Sequence, residues 1–177
     1  MDLDKLPPFP HQRPDRPAPL VMVRAFVGAA LGIGLLGAIA QFVLNDTDLL
    51  LLIGAFGASA VLVYGVPTSP LAQPSSVLGG HLVSATVGVS ALHVVGEPNW
   101  LAAALAVSAA IVAMQFLRCV HAPGGASALI AVVGSPAIHD LGFWYVAFPV
   151  GAGALILLAV ALVTNNVGAK RRWPLFW

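Results

Sequence analysis

The stretch Val66-Pro-Thr-Ser-Pro-Leu-Ala-Gln-Pro-Ser-Ser76 sits in the middle of an uncharged run that extends from Asp48 to Glu97. Its prolines, Pro67, Pro70 and Pro74, lack the amide donor and crowd the preceding turn, so no helix continues through them. The run therefore divides into two apolar segments, Leu49–Tyr64 and Val77–Val95. A membrane-crossing helix needs about 20 mostly apolar residues. The second segment meets that length; the first is short, with Gly54 and Gly57 near its start.

Working outward, the other charge-free intervals read the same way. Arg24 to Asp46 holds one span, about Leu20 to Leu44; Glu97 to Arg118 holds Trp100 to Leu117; Asp140 to Lys170 holds Phe143 to Asn165. Between Arg118 and Asp140, Pro123-Gly124-Gly125 opens a segment and Gly134-Ser135-Pro136 closes it. About 10 helical residues remain there, which at about 1.5 Å per residue is half a bilayer. Composition agrees with this pattern. Charged residues make up 8% of the 177 and hydrophobic ones 59%, with mean hydropathy +0.92. An ordinary soluble domain is about 25% charged, so a soluble enzyme, a nucleic-acid binder and a disordered linker are excluded. A single cysteine excludes a disulfide framework and any Cys-based zinc or iron–sulfur site. The expected class is an all-α membrane protein whose first partner is the lipid bilayer.

Charge placement sets the expected topology. Lys5, Arg13, Arg16 and Arg24 flank the first span, Arg118 ends the fourth, and Lys170, Arg171 and Arg172 follow the last. The gaps at Asp46/Asp48, Glu97 and Asp140 hold no basic residue. Basic residues favour the cytoplasm, so both termini are expected inside, which needs an even number of crossings. Six segments satisfy this if the short one after His121 crosses; four full spans with two re-entrant loops is the other solution. The expected domains are a cytoplasmic Pro-rich tail over residues 1–19, a transmembrane domain over 20–166 and a basic, aromatic cytoplasmic tail over 167–177. The first tail lacks the basic, apolar and cleavage order of a signal peptide, so no cleaved leader is expected. The expected location is integral to a bacterial inner (plasma) membrane.

A repeat lies in the short segments. Gly-Ala-Ser-Ala occurs at Gly57–Ala60 and again at Gly125–Ala128, each followed by an apolar run and then by Gly and Pro, at Gly65-Val66-Pro67 and Gly134-Ser135-Pro136. The chain reads as long–short–long twice, about Leu20–Val95 and Trp100–Asn165. Three crossings per unit invert the second relative to the first, a common transporter plan. A short helix starting with Gly at membrane depth leaves backbone N–H groups unpaired and adds the positive end of its dipole, which binds anions without a basic side chain. Gly57 with Ser59, and Gly124 and Gly125 with Ser127, would supply two such ends. The same small residues also let helices pack closely, and both readings stay open.

Ionisable residues inside an apolar chain are functional candidates because burying their charge is costly. His81 follows Gly79-Gly80 near the start of the third span, and His121 stands immediately before the short second-unit segment. An imidazole there can carry a proton and favour an anion; a satisfied structural histidine is the competing reading. Arg118 is expected to snorkel to the cytoplasmic surface and fix topology. Gln73 is a neutral donor in the Pro-bounded loop. His93, His139 and Asp140 are expected at span ends facing water, and Trp100, Trp144 and Tyr145 in an outer aromatic belt, with Trp173 and Trp177 in the inner one. Glu97 and Asp140 are the only acids between Asp48 and Lys170, so no metal site or cofactor is expected. No nucleophile–base pair is evident, and Ser59 with His81 or His121 would make one only through a tertiary proximity that the sequence does not show.

Four motifs in order, Phe56-Gly-Ala-Ser-Ala60, Ser69-Pro-Leu-Ala-Gln-Pro74, Gly79-Gly-His81 and Arg118-x-x-His121-x-Pro-Gly-Gly-Ala126, resemble the HPP family of small integral membrane proteins. The resemblance covers about Leu49 to Asn165. The family's His-Pro-Pro triplet reads His121-Ala122-Pro123 here, which keeps the histidine and the second proline. Family members are usually described with four membrane helices, compatible with two short segments escaping the count. The resemblance implies transport, since plant and cyanobacterial relatives are associated with nitrite uptake. By motif it carries over to Phe56, Gly57, Ser59, Gln73, His81, Arg118, His121, Pro123, Gly124 and Gly125. On our own reading Arg118 and Pro123 are gating or structural residues and the others, with Ser127 of the second repeat, surround the solute.

The expected function is a transporter or channel for a small inorganic anion, nitrite first, with no enzymatic activity. The alternative is a structural or regulatory membrane subunit that transports nothing. A chain this small is expected to form a homo-oligomer in the bilayer.

Overall fold

The computed structural model describes residues 15–44, 50–169 and 171–177. Most of the first tail, the Asp46/Asp48 gap and Lys170 lie outside these residues. The described chain is all-helical, with seven helices: α1 Pro19–Val43, α2 Gly54–Gly65, α3 Pro74–Val95, α4 Trp100–Phe116, α5 Ala122–Val133, α6 Pro136–Leu141 and α7 Val146–Thr164. By length and apolarity α1 (25 residues), α3 (22) and α7 (19) suffice to cross a membrane; α4 is shorter at 17 residues.

Local sequence explains where these helices start and stop. Proline opens α1, α3, α5 and α6 within the first two positions, where its missing N–H is no loss. Asn99 caps α4, its Oδ1 accepting from the amides of Leu101 at 3.0 Å and Ala102 at 2.9 Å. Gly96, at φ 86°, ends α3 in the left-handed conformation glycine tolerates. The Pro67–Pro74 loop contains one tight turn, Pro70–Ala72, held by the Ser69 hydroxyl accepting from Leu71 N. Helix α3 begins at Pro74, three residues before the expected start, because that proline serves as a first-turn residue. The last span begins later than expected, at Val146, with Phe148 extended (φ −140°, ψ 125°) before Pro149. Between α5 and that span lies the extra turn α6.

Close contacts fix the direction of each element. Tyr64, at the end of α2, lies over Gly28 and Gly32 of α1, while Leu52 meets Gly37. The two helices are therefore antiparallel, with α2 reaching only part of the way along α1. Thr164 also meets Gly28 and Leu157 meets Gly32, so α7 too runs against α1. Gly80 meets His121 and Gly88 meets Ala128, which makes α5 parallel to α3. These contacts place α2 and α7 antiparallel to α1 and α5 parallel to α3, and Leu20 and Trp173 line one common cavity at a single end.

Packing depends on the absence of side chains. A Cβ at Gly88 would lie 2.5 Å from the Ala128 carbonyl oxygen and one at Gly80 would lie 2.8 Å from that of Cys119. A Cβ at Gly153 would enter the ring of Phe56. The core between α1, α2 and α7 gathers Leu36, Phe56, Val63, Tyr64, Leu157 and Ala161. Alanines Ala102, Ala106 and Ala110 of α4 pack on Ala128 and Val132 of α5.

Candidate functional site

Helix α2 brings Ser59, α3 brings His81, and α5 brings Ser127 behind its N-capping residue His121. Their four side chains meet in the centre of the bundle, each with 0% exposure. The Ser59 hydroxyl lies 2.7 Å from His81 Nε2 and 2.8 Å from His121 Nε2. On the far side of the His81 ring, Nδ1 lies 2.8 Å from the Ser127 hydroxyl. His121 Nδ1 lies 2.7 Å from the Leu71 carbonyl oxygen. Serines from the two Gly-Ala-Ser-Ala copies therefore flank one imidazole.

The proton positions follow from the fixed acceptor at one end. A carbonyl only accepts, so His121 Nδ1–H donates to Leu71 O, and Nε2 of the neutral ring accepts. Ser59 then donates to His121 Nε2, and its oxygen accepts from His81 Nε2–H. That leaves His81 Nδ1 as an acceptor for the Ser127 hydroxyl. One direction runs through all four bonds, from Ser127 to His81 to Ser59 to His121 to Leu71. The Ala55 carbonyl, 3.1 Å from the Ser59 hydroxyl, is the longer and weaker competitor for its proton. Every group is satisfied without a charge, as burial demands.

The surroundings hold this set in place. Phe56 presents an edge contact to His81 with ring centroids 5.4 Å apart, and the two imidazoles lie 4.8 Å apart at 62°. The buried Tyr145 hydroxyl donates to the Ser127 carbonyl at 3.0 Å. Gln73 does not join the cluster. Its amide donates to the carbonyls of Pro67 (2.9 Å) and Ser69 (2.8 Å), and its oxygen accepts from Leu175 N (2.8 Å), so it ties the loop carrying Leu71 to the C-terminal tail.

Of the residues singled out by motif, the structure joins Phe56, Ser59, His81, His121 and Ser127. Gly57 is exposed with open space beside it, and a Cβ added at Gly125 would likewise meet nothing within 4 Å. Gly124 instead packs against the Gly80 carbonyl, and Pro123 is buried in the first turn of α5. Arg118 is exposed at φ 56°, where the chain turns from α4 towards α5. Side chains, more than bare helix ends, make the polar centre.

Four placements escaped sequence reasoning. Tyr145, expected in the outer belt, is fully buried beneath Ser127, whereas Trp100 and Trp144 are exposed as expected. Trp173, expected in the inner belt, is also buried, and only Trp177 is exposed there. The Leu71 carbonyl is invisible to any reading of side chains. Ser84, one turn beyond His81, has a buried hydroxyl without a partner, and the spacing Gly80–Ser84–Gly88 could have revealed the small face it shares.

The comparisons with known proteins agree with this architecture. The family model described as HPP, transmembrane region, matches residues 14–174. A transmembrane protein of Dictyostelium discoideum is 44% identical over 156 residues, covering 86% of this chain and 50% of its own length. A second from the same organism is 47% identical over 135 residues, covering 75% of this chain and 47% of its own. The chain thus spans about half the length of the curated relatives it matches. No solved structure matches. A match across nearly the whole chain, joined to three apolar helices long enough to cross a membrane, identifies this integral membrane protein as a member of the HPP transmembrane family.

Proposed function

We propose that the protein moves a small inorganic anion, nitrite first, across the membrane, and that Ser59, His81, His121 and Ser127 meet the solute on its way. The observation that carries this reading is the buried, uncharged chain of four hydrogen bonds where both short helices converge on α3. None of helices α1–α5 and α7 contains an Asp or Glu, so no carboxylate there repels an anion. Backbone dipoles at the start of α5, beside His121, add to the same sign. The Gly-Ala-Ser-Ala sequence carried by each of the two short helices supports an inverted-repeat plan, with the basic ends of the chain in the cytoplasm.

The four groups have no donor to spare in the arrangement described. An incoming anion gains a hydrogen bond by displacing an internal acceptor, for instance by taking the Ser127 hydroxyl from His81. The exchange orphans His81 Nδ1 at a cost of about 1–3 kcal/mol, which is offset when that nitrogen takes up a proton and donates to the anion in turn. It is also selective for a solute small enough to fit between packed rings.

The test is flux. Protein reconstituted in liposomes should admit nitrite faster than empty liposomes do, as followed by an internal quench reporter, and the His121→Ala variant should lose most of that rate. Absence of flux above empty liposomes overturns the reading in favour of a membrane subunit that transports nothing.

A further inference from the structure

A second polar feature lies at the end of the bundle where α1 begins and α7 ends. A cavity of about 380 Å³ there is lined by Arg24, Arg171 and Arg172 together with Leu20, Trp173 and Leu175, among others. Among the described residues that line it, none is acidic. Arg24 is held from below, its guanidinium donating to the carbonyls of Asn165 at 3.5 Å and Val167 at 3.2 Å. Since a guanidinium carries five N–H donors, Arg24 keeps donors in reserve. Arg171 and Arg172 enter on the C-terminal tail, which Asn166 clamps by donating to Trp173 O at 2.8 Å and accepting from Trp173 N at 2.9 Å.

Trp173, 5% exposed, lines the inner wall of the cavity and packs into the core of α1, α2 and α7. Topology alone would be served by basic side chains pointing anywhere into water; these converge on one cavity instead. Guanidinium groups bind phosphate oxygens through paired donors. The edge of the cavity continues onto the outer face of α1, where Leu20, Val23 and Phe26 are 59%, 57% and 75% exposed. That face suits acyl chains, which a free phosphate lacks.

We propose that this cavity holds the phosphate of an anionic phospholipid, with Arg24, Arg171 and Arg172 around the headgroup and the acyl chains along the start of α1. Basic pockets between membrane helices take such headgroups by the same chemistry. The site is separate from the His–Ser cluster and does not depend on it.

The purified full chain in a neutral detergent is titrated with phosphatidylglycerol, phosphatidylcholine, inorganic phosphate and glycerol 3-phosphate while its melting temperature is followed. Phosphatidylglycerol should raise the melting temperature by several degrees, and phosphatidylcholine should not. The Arg171→Gln/Arg172→Gln variant changes only exposed side chains and so keeps the fold. It should lose at least half of that rise. Adding Arg24→Gln should abolish it. Equal shifts with phosphatidylcholine, or an unchanged shift in the double variant, overturn the proposal. An equal shift with inorganic phosphate or glycerol 3-phosphate assigns the cavity to a soluble anion and overturns the lipid.

Discussion

The imidazoles of His81 and His121 share one hydroxyl, that of Ser59, at 2.7 Å and 2.8 Å. One hydroxyl thus serves two rings from different elements, donating to His121 and accepting from His81. Removing it leaves two buried ring nitrogens without partners, whereas removing the Ser127 hydroxyl orphans only one. Each orphan costs about 1–3 kcal/mol. Ser59→Ala should therefore lower the melting temperature more than Ser127→Ala, and thermal unfolding in one detergent compares them directly. Equal shifts would contradict the shared bond.

Flux should separate the buried histidines from the exposed one. His81→Ala and His121→Ala should each reduce nitrite entry by about tenfold or more, the effect of about 1.4 kcal/mol on a barrier. His93 is exposed and bonds only to the Val89 carbonyl, so His93→Ala should leave the rate unchanged. Liposome assays normalised to incorporated protein make the comparison.

Glycines of the same helix type should differ sharply. A Cβ at Gly57 meets nothing within 4 Å, so Gly57→Ala should stabilise the exposed turn by about 0.5–1 kcal/mol. At Gly88 the new atom would lie against the Ala128 backbone, which cannot rotate away as a side chain can. Gly88→Ala should cost about 1–3 kcal/mol or more. Retention of detergent-solubilised monodisperse protein after heating reports both.

Gln73 should act at a distance through the chain it ties down. Gln73→Ala removes the acceptor of Leu175 N and both donors to the 67–73 loop. Limited proteolysis should then cut the C-terminal tail faster than in the unchanged protein. A tail equally protected would show that Asn166 and the packing of Trp173 hold it alone.

Much of the fold was legible because its signals are local. Prolines at 67, 70 and 74 fall where one uncharged run divides, and the sparse charges bound most of the other apolar segments. The short segments were recognisable by Gly and Pro at their limits. The site was legible in its residue types, since Ser59, His81, His121 and Ser127 stand out in an apolar chain. Their mutual arrangement was not. It arises from the parallel contact of α3 and α5, and a direction of packing between distant helices leaves no mark on periodicity. Nor did sequence show that Tyr145 turns inward while its neighbour Trp144 remains exposed; both are aromatic residues with a polar tip, and only the position of Ser127 distinguishes them.

The bond between His121 and the Leu71 carbonyl has a wider consequence. That acceptor sits on a loop fastened to the tail by Gln73, yet it dictates which nitrogen of each buried ring carries hydrogen. Were the loop to withdraw, His121 could change tautomer, Ser59 could turn, and His81 and Ser127 could follow in sequence. A shift at one mouth of the bundle would then be read at its centre as a reversal of electrical polarity, like a compass needle answering a distant magnet, with no helix having to slide.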